Sequence, residues 1–128
     1  AADENLHFLF YRDLTTAAIE IDPSAMVLAM ANQVRNFQMP GTGIPDFSSH
    51  ARAIAAAGIY DLAIFLEQVV VPVVQQHWRL KSLEGLSPEA EIARESLVRH
   101  IERLGRVVAR QAERREEAAV SQRVGAVR

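Results

Sequence analysis

Residues 2–14 read Ala2-Asp3-Glu4-Asn5-Leu6-His7-Phe8-Leu9-Phe10-Tyr11-Arg12-Asp13-Leu14, and residues 15–23 continue Thr15-Thr16-Ala17-Ala18-Ile19-Glu20-Ile21-Asp22-Pro23. From Ala1 to Ile21 there is neither glycine nor proline. Leu6, Phe8, Leu9, Phe10, Leu14, Ala18 and Ile21 put apolar side chains on nearly every face of the helix this implies. A helix that is apolar all round is normally a buried one. Asp22-Pro23 then supplies an N-cap followed by proline at the first helical position, where the missing N–H is one of the unpaired donors anyway. One helix hands over to the next across a single residue, which predicts helical packing rather than a sheet.

Reading onward, helices alone are expected. The second runs to about Gln38, and Met39-Pro40-Gly41-Thr42-Gly43-Ile44-Pro45 is the strong loop. A third helix spans Phe47 to Ala57 and stops at Gly58. Asp61 caps a fourth that continues to about Leu83, with Pro72 kinking it or opening its hydrogen-bond ladder. After Gly85, Ser87-Pro88 repeats the cap-plus-proline start for the last helix. There Leu97, Ile101, Leu104 and Val108 form a narrow apolar seam, flanked by Glu95/Arg99 and Glu102/Arg106 at the favourable spacing. The seam fades after about Arg115. Residues 1–115 therefore form the helical part, and 116–128 a polar tail expected to fray. The fold class is all-α, without an internal repeat.

Composition narrows the function classes. In 128 residues, 49% are hydrophobic and 23% charged, which excludes wholesale disorder. The formal net charge of −2 is too balanced for a dedicated nucleic-acid binder. There is no cysteine, so disulfides, thiolate zinc sites and cysteine nucleophiles are excluded. The longest apolar run, around Val69 to Val74, is far short of the ~20 residues a membrane span needs. No basic segment followed by an apolar one opens the chain, and the expected location is cytoplasmic. The start at Ala1-Ala2-Asp3, without methionine, is read as that of a piece of a longer protein.

Few residues can carry chemistry. Glu4 and His7 stand three apart, so a helix projects both from one face, where they can grip a metal ion. Carboxylate-bridged di-iron bundles use two such Glu-x-x-His pairs and two further glutamates. The other reading of the pair is a solvated first turn. His77 beside Trp78 is expected at a helix C-terminus, near the helix dipole or in solvent. His50 and His100 are expected at the surface. Glu67, amid Phe65, Leu66, Val69 and Val70, is a partly buried carboxylate candidate without a companion at ligand spacing. Tyr11, one turn beyond His7, is expected in the core beside the site. Arg99, Arg103, Arg106 and Arg110 form one stripe on the last helix. It is read as a solvated, salt-bridged face, or as a docking surface for an acidic partner.

The segment from Ala2 to His7, with Glu20-Ile21-Asp22-Pro23 after it, resembles the second metal-binding motif of the soluble acyl-carrier-protein desaturases. The likeness continues in order through Phe37-Gln38-Met39-Pro40, Gly58-Ile59-Tyr60, Trp78-Arg79 and Leu83-Glu84-Gly85-Leu86-Ser87. Its Phe37 to Gly41 loop is most similar to the actinobacterial branch. The resemblance implies the C-terminal helices of a ferritin-like di-iron bundle. It makes Glu4 the carboxylate that bridges two iron ions, His7 a terminal ligand to one of them, and Asp3 the acceptor that holds a histidine of the other half. It implies that the remaining ligands lie upstream, so this chain alone is expected to be inactive. It also implies acyl carrier protein with its fatty acyl chain as partner, a ferredoxin-type electron donor and a homodimer. The implied reaction introduces a double bond into the carrier-bound chain with dioxygen. The alternative is a non-catalytic helical module that associates through its own apolar faces. A variant of that alternative is a symmetric dimer in which two copies of Glu4 and His7, with Glu67, build one site.

Overall fold

Aspartate, serine, proline and glycine set most of the helix boundaries. A computed structural model describes residues 2–37 and 42–125. Helix α1 is Ala2–Ile21 and α2 is Pro23–Asn36. Between them Asp22 leaves the helical region, with φ −145°, and its Oδ1 accepts the Ala25 N–H at 2.9 Å. Asp22 donates its own N–H to Ala18 O at 2.9 Å, so the turn closes within one residue. The expected end of this helix at Gln38, and Met39 to Gly41 of the loop, lie outside the described residues. Helix α3 is Phe47–Ala56. Gly58 follows it at φ 68°, a left-handed conformation that side chains rarely adopt and glycine adopts freely.

Asp61 caps the next helix as expected, its Oδ1 accepting the Ile64 N–H at 3.0 Å. Helix α4, Leu62–Phe65, passes without a break into a π-helical stretch, Leu66–His77. Pro72 has no N–H to give and its ring crowds the preceding turn, so a wider coil accommodates it. At the far end Trp78 donates its N–H five residues back, to Val73 O, at 2.8 Å. The expected opening of the ladder thus extends through the whole stretch, and the helix stops at His77 rather than Leu83. A short 3-10 turn, Leu80–Ser82, leads to the last helix, α5, Pro88–Gly125. Ser87 caps it, with Oγ accepting the Ala90 N–H at 3.2 Å. The Ser87 N–H donates to Ser24 Oγ at 2.8 Å and ties the start of α5 to the start of α2. The described residues contain no strand, and the fold is all-α.

The apolar seam of α5 builds the core. Leu97 and Ile101 are buried with Val27, Met30 and Ala31 of α2 and with Leu66, Val70 and Val74 of the π-helical stretch. Leu80 and Ala90 close the bottom of this cluster. Leu104 and Val108 continue the seam half-buried, and beyond Arg110 the described side chains are exposed. Helix α5 runs on to Gly125, where Ala, Glu, Gln and Arg are good helix formers even without a packing partner.

Helix α1 departs from expectation. Among its described side chains only Ile19 enters the core, while Leu6 is 63%, Phe10 61% and Ile21 86% exposed. The sequence pattern reports how much a helix can bury, and the described chain covers one edge of this one. Exposed apolar patches beyond a few hundred Å2 drive association. The 128-residue chain is therefore expected to sediment as dimers or larger species at tens of micromolar (~10⁻⁵ M), and a monomer there would contradict it.

Candidate functional site

The first turn of α1 carries two acids, Asp3 and Glu4, where the positive end of the helix dipole favours them. One turn on, His7 Nδ1 lies 3.7 Å from Glu4 Oε2, so the spacing brings carboxylate and imidazole together on one face as the sequence predicts. Both side chains are largely exposed, 67% for His7 and 86% for Glu4. Asp3 is exposed beside them. Among the described residues no group of three or more His, Asp or Glu side chains is placed to hold a metal ion. A carboxylate and a neutral imidazole, open to solvent on one side, suit a divalent transition-metal ion that takes further ligands from elsewhere. As a partial donor set, the pair fits.

Other candidates fall differently. Glu67 is exposed, not partly buried, because it shares the outer face of the helix with Gln68 and Val69 while Leu66 and Val70 point to the core. Tyr11 is 64% exposed instead of packed in the core, its ring edge-on to Phe10 at 5.3 Å. It lines a mainly apolar groove of about 290 Å3 together with Phe8 and Thr15 of α1 and with Val69, Val73 and Trp78 across from them. The larger cleft, about 530 Å3, lies elsewhere, between α3, α4 and the far end of α5, and no described side chain of α1 lines it. There Phe37 and Phe65 stack at 4.5 Å, and Arg115 reaches Asp61 Oδ2 at 3.3 Å. The Ile64 N–H holds the Asp61 carboxyl below its ordinary value, against burial, which pushes it up, and with help from Arg115.

His77 is more than a solvated helix end. Its Nε2 stands 3.3 Å from Thr16 Oγ1 and 3.9 Å from Asp13 Oδ1, both on α1. Next to it the Trp78 indole N–H donates to Arg12 O at 3.2 Å. Sequence reasoning missed these contacts, because the π-helical widening that aims both side chains at α1 leaves only Pro72 as its signal. The arginine stripe is exposed, with Glu95 and Arg99 paired at 3.5 Å. Glu102 pairs with Lys81 at 3.9 Å instead of with Arg106.

His50 is exposed as expected, whereas His100 is half-buried. Burial first, then the positive charges of Arg103 and Arg35, push its imidazole below the ordinary value. The unfolded chain therefore takes up this proton more readily than the folded one. The stability tied to neutral His100 is fully present above about pH 6.5 and is lost as the pH falls through the lower folded value. Thermal midpoints should fall on acidification across that window, and His100→Gln should flatten the slope. An identical slope in the variant would contradict it.

Comparison with known proteins decides the family. A model described as fatty acid desaturase matches residues 1–126. The chain belongs to the fatty acid desaturase family. Within it, the chain is similar to DesA1 of Mycobacterium tuberculosis, an acyl-carrier-protein desaturase by name. The two are 39% identical over 97 residues, which are 76% of this chain and 28% of that protein. A seed-specific chloroplastic stearoyl-acyl-carrier-protein 9-desaturase of Brassica napus is 34% identical over 107 residues, 76% of this chain and 26% of its own. The chloroplastic stearoyl-acyl-carrier-protein 9-desaturase of Ricinus communis is 31% identical over 128 residues, 92% of this chain and 31% of its own. The chain thus spans under a third of the length of the curated relatives it matches. The all-α architecture agrees with the ferritin-like bundle of this desaturase family. No helix among the described residues is long and apolar enough to cross a membrane.

Proposed function

We propose that the chain supplies part of the di-iron centre of an acyl-carrier-protein desaturase, in which the Glu4 carboxylate would serve both ions and the His7 imidazole one of them. The observation that carries this reading is the convergence of Glu4 and His7 at 3.7 Å on the exposed face of a helix in a chain of this family. Asp3, one residue before Glu4, is the acceptor for the free ring nitrogen of a histidine ligand from the other half of the centre. When bound, the iron pair supplies dioxygen activation and hydrogen removal from an unactivated methylene pair.

This chain's own residues do the rest by binding. The Glu4 carboxylate would hold the ions through a negative charge that offsets part of their mutual repulsion. The His7 imidazole would add a nitrogen donor without charge, so charge balance would stay with the carboxylates. The groove of Phe8, Val69, Val73 and Trp78 is mainly apolar and suits an alkyl segment. The partners in this reading are a fatty acyl chain on acyl carrier protein, a ferredoxin-type electron donor and a second copy of the protein, in the cytoplasm. The test uses the full-length, iron-loaded protein with acyl carrier protein substrate, a ferredoxin-type donor and dioxygen. Mass spectrometry should find the acyl chain short of two hydrogens, and an unchanged chain in every case would contradict the reading.

A further inference from the structure

We propose that His77 and Trp78 are positioning residues that set the roll of α1 about its own axis, and so the direction in which Glu4 and His7 are presented. The inference rests on the ligand reading above.

Helix α1 has little else to fix its roll. It is joined to α2 at Asp22, and among its described side chains the one that is buried is Ile19, near that joint. From Tyr11 back to Asp3 the described side chains are exposed, save for half-buried Leu9. The helix is apolar on nearly every face, so burial alone rewards several rolls about equally. Each residue of slip turns the helix by about 100°, which would swing the Glu4–His7 face away from any partner ligands. Directional bonds are needed to choose among the rolls, and hydrogen bonds weaken steeply off axis.

The bonds that do this come from the end of the π-helical stretch. Trp78 Nε1–H donates to Arg12 O at 3.2 Å. Thr16 Oγ1–H donates to the same carbonyl at 3.0 Å, which spends the hydroxyl proton. The 3.3 Å contact between Thr16 Oγ1 and His77 Nε2 is therefore an imidazole N–H donating to the hydroxyl oxygen. That assigns the proton of neutral His77 to Nε2. Asp13 Oδ1, at 3.9 Å from the same nitrogen and held by Arg12 Nε at 2.8 Å, adds a favourable charge. Arg12 lies five residues beyond His7, roughly 7.5 Å along the axis, so a roll fixed there is passed on through a rigid helix.

The test titrates the metal-free full-length protein with Co(II), whose d–d absorption reports ligand geometry. Trp78→Phe keeps the ring and deletes the donor, His77→Leu deletes the other donor, and His77→Gln retains an N–H. The first two should lose about tenfold in Co(II) affinity, with shifted d–d bands and unchanged helicity by circular dichroism. His77→Gln should restore both. Unchanged affinity and bands in Trp78→Phe and His77→Leu would overturn the inference, and so would a loss that His77→Gln does not rescue or that follows a loss of helicity. Glu4→Ala separates the two levels. If it abolishes Co(II) binding while the His77 and Trp78 variants change nothing, the positioning role alone falls. If Co(II) binding survives Glu4→Ala, the ligand reading falls and takes the positioning role with it.

Discussion

Glu4→Ala in the full-length protein is expected to empty both iron positions and to reduce double-bond formation by more than about 100-fold. Groups one step removed from a metal already cost ~10–100-fold when deleted, so a carboxylate shared by two ions costs more. On the proposed reading, its loss would leave two cations with one negative charge fewer to offset their repulsion. His7→Ala removes a neutral ligand and leaves the bridge, so iron content should fall mainly at one position while activity is also lost. Neither substitution should unfold the protein, because both side chains are largely exposed and neither belongs to the core cluster. Iron analysis, circular dichroism and the desaturation assay on the same preparations check this together. Full activity in either variant would contradict the ligand assignment.

The second large effect is on stability. Leu97 has no exposed surface, and the apolar side chains of α2 and of the π-helical stretch meet in the cluster it occupies. Leu97→Ala leaves a cavity where three elements converge, and should destabilise the 128-residue chain by about 3 kcal/mol. That corresponds to a fall of roughly 10 °C in thermal midpoint. Ile92 sits on the same helix at 67% exposure, and Ile92→Ala should cost no more than about 0.5 kcal/mol. Equal losses in urea or thermal unfolding would contradict a core built on the α5 seam.

Local chemistry was legible in the sequence. Asp22-Pro23 and Ser87-Pro88 start helices where they should, Gly58 sits beyond the end of α3, and Asp61 caps as expected, because each acts through its own backbone neighbours. The i,i+3 meeting of Glu4 and His7 was legible for the same reason. Long-range consequences were not. Pro72 announces a disturbance, but packing of Val70, Val73 and Val74 decides that the wider coil persists from Leu66 to His77. The contacts of His77 and Trp78 with Arg12 and Thr16 depend on that coil. His100 was expected at the surface, yet its position on the α5 face beside Arg35 of α2 half-buries it. An apolar α1 gave the right helix and the wrong burial, because periodicity records only what a helix is able to cover.

On the proposed reading Glu4 and His7 hold iron. An iron-edge anomalous difference map of the full-length, iron-loaded protein would locate the ions. Two peaks are expected at bonding distance from the Glu4 carboxylate, one of them also at bonding distance from a ring nitrogen of His7. Iron peaks that stand away from both side chains would contradict the account.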